Sequence, residues 1–224
     1  MINVALIGLG RIGMMHAKNI LDHKYLNLHS IYEKNKVLLN NAKRKFKCNV
    51  SKSFMDLYLN PIIDIIFIAS STSSHIKFID LGLKFKKTIF CEKPLDLDIK
   101  KIKKLSKKIN KKSKFQLGFN RRYDPGHYSL KRQLDLNKIG KLEKIIITSR
   151  DPAPPSIEYL RSSGGIFRDM MIHDFDLCRF YLNKDKIIQL NSQVSSFKRF
   201  YKIIKDYEIA TVSMKSKNGV LCLI

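Results

Sequence analysis

The sequence predicts an α/β chain in two parts. A doubly wound parallel sheet occupies residues 1–119, and a smaller α+β part with a mixed or antiparallel sheet, incomplete here, occupies 120–224. Three observations carry this reading. Strand-like and helix-like segments alternate from Ile2 to Phe119. The strands there, such as NVALIGLG and DIIFIAS, are continuous apolar runs, as strands covered on both faces require. After Asn120 the texture changes, and strands follow strands.

The elements follow in order. NVALIGLG is a short strand running into glycines, and RIGMMHAKNILDH is a helix with Ile12, Met15, His16 and Ile20 on one side. LNLHSIY is a strand, KVLLNNAKRKF a helix and SFMDLYLN a short helix. DIIFIAS is a strand, SHIKFIDLGLKF a helix ending near Gly82 or Phe85, and KTIFCE the next strand. LDIKKIKKLSKKI is a helix, and FQLGF closes the first part. In the second part, DPGHYSLKRQLDL is helical, KLEKIIITSR is a strand and DPAPPSIEYLRSSGG is a loop carrying three prolines. GGIFRDMMIHDFDL reads as one helix. IIQLNSQVSS and YEIATVSMKS are strands, KSKNG offers the Asn-Gly turn of a hairpin, and VLCLI begins the return. The chain stops inside that last strand, at Ile224, so the second domain is expected to be cut short.

With 224 residues and a 44% hydrophobic fraction, the chain can bury a sizeable core. The four cysteines lie far apart with no C-x-x-C, which excludes a disulfide framework and a zinc ribbon and fits a reducing cytoplasm. The N-terminal stretch lacks a signal peptide's basic region and cleavage site, and no apolar run reaches the ~20 residues of a membrane span. The formal charge of +24 admits nucleic-acid binding or compositional drift. In DIKKIKKLSKKINKK, Ile99, Ile102, Leu105 and Ile109 recur at helical spacing while lysines fill the other faces, and no aromatic residues interleave to stack bases. That pattern is a solvated face, so neither nucleic acid nor membrane is expected as a partner.

Gly8-Leu9-Gly10-Arg11-Ile12-Gly13 is G-x-G-x-x-G between a strand and a helix, the context that makes the motif a dinucleotide fingerprint. Gly8 permits the tight turn, Gly10 lets the backbone approach a pyrophosphate, and Gly13 lets the helix pack on the strand. The helix N-terminus supplies free N–H donors for phosphate. Glu33 lies at the end of the second strand, where a carboxylate accepts from ribose hydroxyls and repels a 2′-phosphate, so NAD is expected over NADP. Ser70, Ser71 and Thr72 follow another strand end and are expected to line the cofactor, with Ser73 or Ser74 capping the next helix and His75 in a structural or cofactor-edge role. In Cys91-Glu92-Lys93-Pro94, the proline fixes a turn at a third strand end. Glu92 and Lys93 are counted with the cofactor residues, Lys93 pointing at the nicotinamide end or standing as one more surface lysine.

On one continuous helix Asp169, His173 and Asp176 fall at i, i+4 and i+7 and form a stripe. The stripe is either a solvated helix face or a proton-handling pair in which Asp169 orients the His173 imidazole. A metal is not expected, because no further His or Cys cluster accompanies it. Asp174 falls off the stripe, as an exposed or inter-element salt-bridge partner.

GLGRIG, IASSTSSH, CEKPL, GFNRRYDP and SGGIFRDMMIHDFDL together resemble the Gfo/Idh/MocA oxidoreductases. The run SRDPAPPSIEYLRSSGGIFRDMMIHDFD is similar to the inositol 2-dehydrogenase branch of that family. The resemblance implies an NAD-dependent dehydrogenase that oxidises a hydroxyl of a cyclic polyol such as myo-inositol to a ketone. It implies Lys93, Asp169 and His173 as the catalytic set, with Asn120, Arg121, Tyr123 and Asp151 as further substrate contacts beside Asp169 and His173. It also implies a dimer or tetramer, if the second sheet is complete enough. Glu33 stands where the family more often has Asp. Alternative readings are a non-catalytic dinucleotide-binding remnant, or a dehydrogenase of another sugar.

Overall fold

The computed structural model describes residues 1–224, which divide into two compact units, Met1–Gly118 and Phe119–Ile224.

The first unit alternates strand and helix: β1 (Ile2–Ile7), α1 (Arg11–Asp22), β2 (Leu26–Tyr32), α2 (Lys36–Phe46), β3 (Asn49–Val50), α3 (Phe54–Leu59), β4 (Ile65–Ile68), α4 (Thr72–Lys84), β5 (Thr88–Cys91), α5 (Ile99–Ser106) and β6 (Phe115–Leu117). The sheet order is β3-β2-β1-β4-β5-β6, every pair parallel. Side chains alternate across a strand, so β1 feeds two cores at once. Val4 and Leu6 join Ala17, Ile20, Ala42 and Phe46 of α1 and α2 on one face. Ala5 and Ile7 join Leu57, Phe78, Ile79 and Leu105 of α3, α4 and α5 on the other. Each fully buried Leu or Ile contributes about 1.5–3 kcal/mol. This is why the strands read as unbroken apolar runs.

Local chemistry sets the helix starts. Asn35 accepts from the amides of Val37 and Leu38 to open α2, and Ser53 with Asp56 forms a reciprocal capping box on α3. α4 starts at Thr72 with Ser71 in the cap position, so the expectation of a cap at Ser73 or Ser74 is corrected. α5 buries Leu105 and exposes Lys100, Lys101, Lys103 and Lys104, the solvated lysine face, although it ends at Ser106, short of Ile109. No helix is long and apolar enough to cross a membrane.

The second unit opens on a 3₁₀ turn (Asn120–Tyr123) and continues α6 (Pro125–Asp135), β7 (Lys144–Ile146), α7 (Ile157–Ser163), α8 (Gly165–Asp169), α9 (Met171–Leu182), β8 (Ile187–Ser195), α10 (Arg199–Ile204), β9 (Ile209–Ser216) and β10 (Leu221–Leu223). Its mixed sheet runs β7-β10-β9-β8. The last strand is interior: it pairs parallel with β7 and antiparallel with β9. The four strand segments read from the sequence all enter this one sheet. Met171, Leu177, Cys178 and Leu182 of α9 pack on Ile145, Val212, Met214 and Cys222.

Two segments differ from the sequence reading. The proline-rich stretch is a loop only to Pro155; Ser156 then caps α7 by accepting from the Tyr159 amide. The helix expected over Gly164–Leu177 is broken. α8 ends at Asp169, Met170 sits between, and α9 starts at Met171. Paired glycines with φ of +92° and +79° separate α8 from α7, and the Asp206 carboxylate accepts from the Ile166 amide in the first turn of α8.

Candidate functional site

In the first unit the strand register lines up the carboxyl ends. Ile7 faces Ile68, Ile68 faces Cys91 and Cys91 faces Leu117. Ile7 also faces Tyr32, which brings Glu33 to the same edge. The segments predicted to hold a cofactor thus follow adjacent strands, and the order reverses between β1 and β4, where ligands bind in open α/β sheets.

The glycine turn fits a pyrophosphate. Gly8 has φ +95°, and a Cβ there would lie 2.5 Å from the Ser70 nitrogen. A Cβ at Gly13 would lie 2.0 Å from the Gly8 oxygen. At Gly10 it would meet nothing within 4 Å. Two glycines are closed by packing, and the middle one leaves open space. α1 begins next to that space at Arg11, followed by Ile12, with no acidic residue in its first turn, so its free N–H groups favour an anion there. Gly13→Ala is expected to weaken NADH binding by ~100-fold or more, read by fluorescence titration, because β1 and α1 must separate. Unchanged affinity would remove this turn from the cofactor site.

Glu33 accepts from the backbone amides of Leu9 (2.8 Å) and Asn35 (2.9 Å). It braces the glycine turn itself, a role the sequence did not disclose. A carboxylate offers about four lone-pair sites, so two remain for ribose hydroxyls.

Ser70 Oγ lies 2.7 Å from Ser74 Oγ, and Ser71 and Thr72 start α4. His75 is almost fully buried; Nδ1 lies 2.8 Å from the Pro94 carbonyl and Nε2 2.9 Å from the Ser70 carbonyl. Both ring nitrogens face backbone carbonyls, which fits the structural reading of His75 as a clamp between two strand-end loops. The Lys93–Pro94 peptide is cis. The Glu92 carboxylate meets His16 Nε2 at 2.7 Å and accepts from the Lys93 amide at 3.2 Å.

In the second unit, Asp169 Oδ1 accepts from the Tyr159 hydroxyl at 2.8 Å. His173 lies in the first turn of α9, edge-on to Phe119 with ring centroids 6.3 Å apart. The break at Met170 means that Asp169 and His173 do not share one regular helical stripe. Asp176, three residues after His173 on α9, is buried and takes a bidentate pair of bonds from Arg122, at 2.7 and 2.5 Å. That hydrogen bond holds the Arg122 guanidinium above its ordinary range. Asp174 is completely buried; Oδ1 accepts from Arg121 and from Ser149 Oγ (2.7 Å). It is an inter-element partner, as one of the two expectations held, and it anchors the 3₁₀ turn to α9. Asn120, Tyr123 and Asp151 are exposed.

Sequence reasoning missed Tyr159 and His16. Tyr159 carried no local signal, lying in a stretch read as irregular. His16 stood on an apolar helix face, where an ionisable group needs a partner.

Comparison with known proteins gives consistent matches. Residues 2–119 match the family model for an oxidoreductase family with an NAD-binding Rossmann fold, and residues 127–224 match the GFO/IDH/MocA C-terminal domain. An inositol 2-dehydrogenase of Rhizobium meliloti (strain 1021) is 32% identical over 224 residues, covering 100% of this chain and 68% of the relative. A myo-inositol 2-dehydrogenase of Thermotoga maritima is 35% identical, covering 99% of this chain and 67% of the relative. The crystal structure of a myo-inositol dehydrogenase from Corynebacterium glutamicum superposes with TM-score 0.93 at 34% identity, over 100% of this chain and 67% of that one. A scyllo-inositol dehydrogenase from Lactobacillus casei, with bound NAD(H) and scyllo-inositol, superposes with TM-score 0.90 at 29% identity, over 100% of this chain and 68% of that one.

Proposed function

Because the chain belongs to the Gfo/Idh/MocA family of NAD-binding oxidoreductases, we propose that it oxidises one hydroxyl of an inositol-like cyclic polyol to a ketone. The observation that carries the reading is the alignment of the strand ends. The glycine turn, the Ser70–Thr72 loop and the Glu92–Lys93 turn follow β1, β4 and β5 at one level of register. A dinucleotide laid along that edge passes all three. The two inositol dehydrogenase relatives support a polyol as substrate.

NAD, when bound, supplies the hydride acceptor. The remaining work falls to side chains. Gly8, Gly10 and Gly13, with the α1 amides from Arg11 and Ile12, hold the pyrophosphate; Glu33 takes the ribose hydroxyls. Ser70, Ser71 and Thr72 line the cofactor, and Glu92 supports it through the Lys93 turn. His173 accepts the hydroxyl proton as general base. Lys93 offsets negative charge developing on the same oxygen. Asp169, held by Tyr159, supports the protonated imidazole electrostatically. Asn120, Tyr123 and Asp151 offer hydrogen bonds to the other hydroxyls. Arg121 contributes through donors not engaged by Asp174 and Ser149.

Purified chain mixed with NAD and myo-inositol is expected to generate NADH absorbance, with scyllo-inositol as the second substrate to try. NADP is expected to support turnover at least ~100-fold less well, and Glu33→Ala to narrow that gap. An equal rate with both cofactors would remove Glu33 from the ribose site. Absence of turnover with either polyol, alongside normal NADH binding, would sink the polyol reading and leave the nucleotide site intact.

A further inference from the structure

The geometry points to His16 as a positioning residue that sets the Lys93 turn through the Glu92 carboxylate, an inference that rests on the role proposed for Lys93. Glu92 is the bridge. One carboxylate oxygen faces His16 Nε2 at 2.7 Å, and the other accepts from the Lys93 backbone amide at 3.2 Å. The plane of the carboxylate therefore fixes the peptide from which the Lys93 side chain departs. A carboxylate free to rotate would leave that peptide held only from its far side, where His75 meets the Pro94 carbonyl at 2.8 Å.

The imidazole is itself held. Its ring packs on Phe67 (4.5 Å) and Phe90 (5.8 Å), two rings stacked on each other at 4.1 Å across β4 and β5. His16 and Glu92 side chains are only 15% and 19% exposed, so water competes weakly for their contact. The opposite side is shaped for the carboxylate: a Cβ at Gly118 would sit 3.2 Å from Glu92 Cδ and Oε1. A helix on one side and the neighbouring strand end on the other leave Glu92 one comfortable orientation. His16 contributes no group to the reaction. It determines where the ammonium of Lys93 begins its reach, and a displacement of about 1 Å at a reacting group lowers rates by up to ~100-fold.

The test uses two substitutions in the full chain. His16→Phe preserves a ring between Phe67 and Phe90 and removes the N–H; His16→Gln restores a side-chain N–H donor. His16→Phe is expected to lower kcat ~10-fold while KM for NAD and the thermal midpoint stay within about twofold and about 2 °C, and His16→Gln to recover most of the loss. Amide hydrogen exchange of a peptide spanning residues 90–96 should accelerate in His16→Phe and return toward the original rate in His16→Gln, with other peptides unchanged. Unchanged exchange in that peptide would overturn the inference. So would a loss of kcat that travels with a general fall in stability and is not recovered by glutamine. If the unsubstituted chain turns over no polyol, the dehydrogenase reading fails by itself, and the exchange comparison still decides whether His16 governs the Lys93 turn.

Discussion

Lys93→Ala is expected to reduce kcat by about 10²–10³-fold, the loss seen when a preorganised stabiliser of developing oxyanion charge is removed. His173→Ala should lose about 10²–10⁴-fold, the contribution of a positioned general base. In both variants NADH affinity should stay within about twofold, because neither side chain is assigned to the pyrophosphate or ribose. The measurements are NADH production with myo-inositol and fluorescence titration of NADH. The pattern matters more than either number. Loss of rate with retained binding assigns both groups to the chemistry. Loss of cofactor affinity in His173→Ala would instead assign the imidazole to nucleotide binding, and retained rate in either variant would remove that residue from the catalytic set. Adding Tyr159→Phe separates Asp169's support: the Tyr159 hydroxyl reaches Asp169 at 2.8 Å, so its removal should lower kcat with little effect on NADH binding.

Arg121→Met is expected to destabilise the second unit by about 3–5 kcal/mol, read as a lower urea midpoint. The reason is what it leaves behind. Asp174 is fully buried, and one of its oxygens takes the bonds from both Arg121 and Ser149 while Oδ2 has no hydrogen-bond partner. Without the guanidinium that carboxylate keeps a single neutral donor. Asp174→Leu in the Arg121→Met background should recover most of the loss, since replacing both members of a buried pair by apolar groups is often neutral. Arg122→Ala should be milder: its partner Asp176 is also buried, but Arg122 is 39% exposed and water replaces part of what it supplies. If Arg121→Met leaves stability intact and raises only KM for the polyol, Arg121 belongs to substrate binding, and the anchoring role given to it here is wrong.

The site was unequally legible. The glycine turn, the acid at the end of β2 and the Glu-Lys-Pro turn are local signals, because a phosphate-binding turn needs particular residues at fixed offsets. The structure kept these at one sheet edge. The segment carrying Asp169 and His173 was read as one helix, and the structure divides it in two. Helical spacing assumes an unbroken helix, and here α8 ends at Asp169 and α9 begins at Met171. Asp176 does share α9 with His173, but its carboxylate is bonded to Arg122, a partner 54 residues away that helical spacing cannot show.

The sequence by itself determined the two-part α/β architecture, the parallel sheet and the place of the dinucleotide turn, because apolar periodicity and turn chemistry are fixed by neighbours within a few residues. The tertiary structure alone decided which charged groups are used up in holding the fold. Arg121 and Arg122 pair with Asp174 and Asp176 on α9, His75 spans two strand-end carbonyls, and His16 reaches Glu92. Apart from the His75–Ser70 contact, each of these joins residues distant in the chain, and a buried ionisable group takes whatever partner the packing brings to it, which no local pattern records.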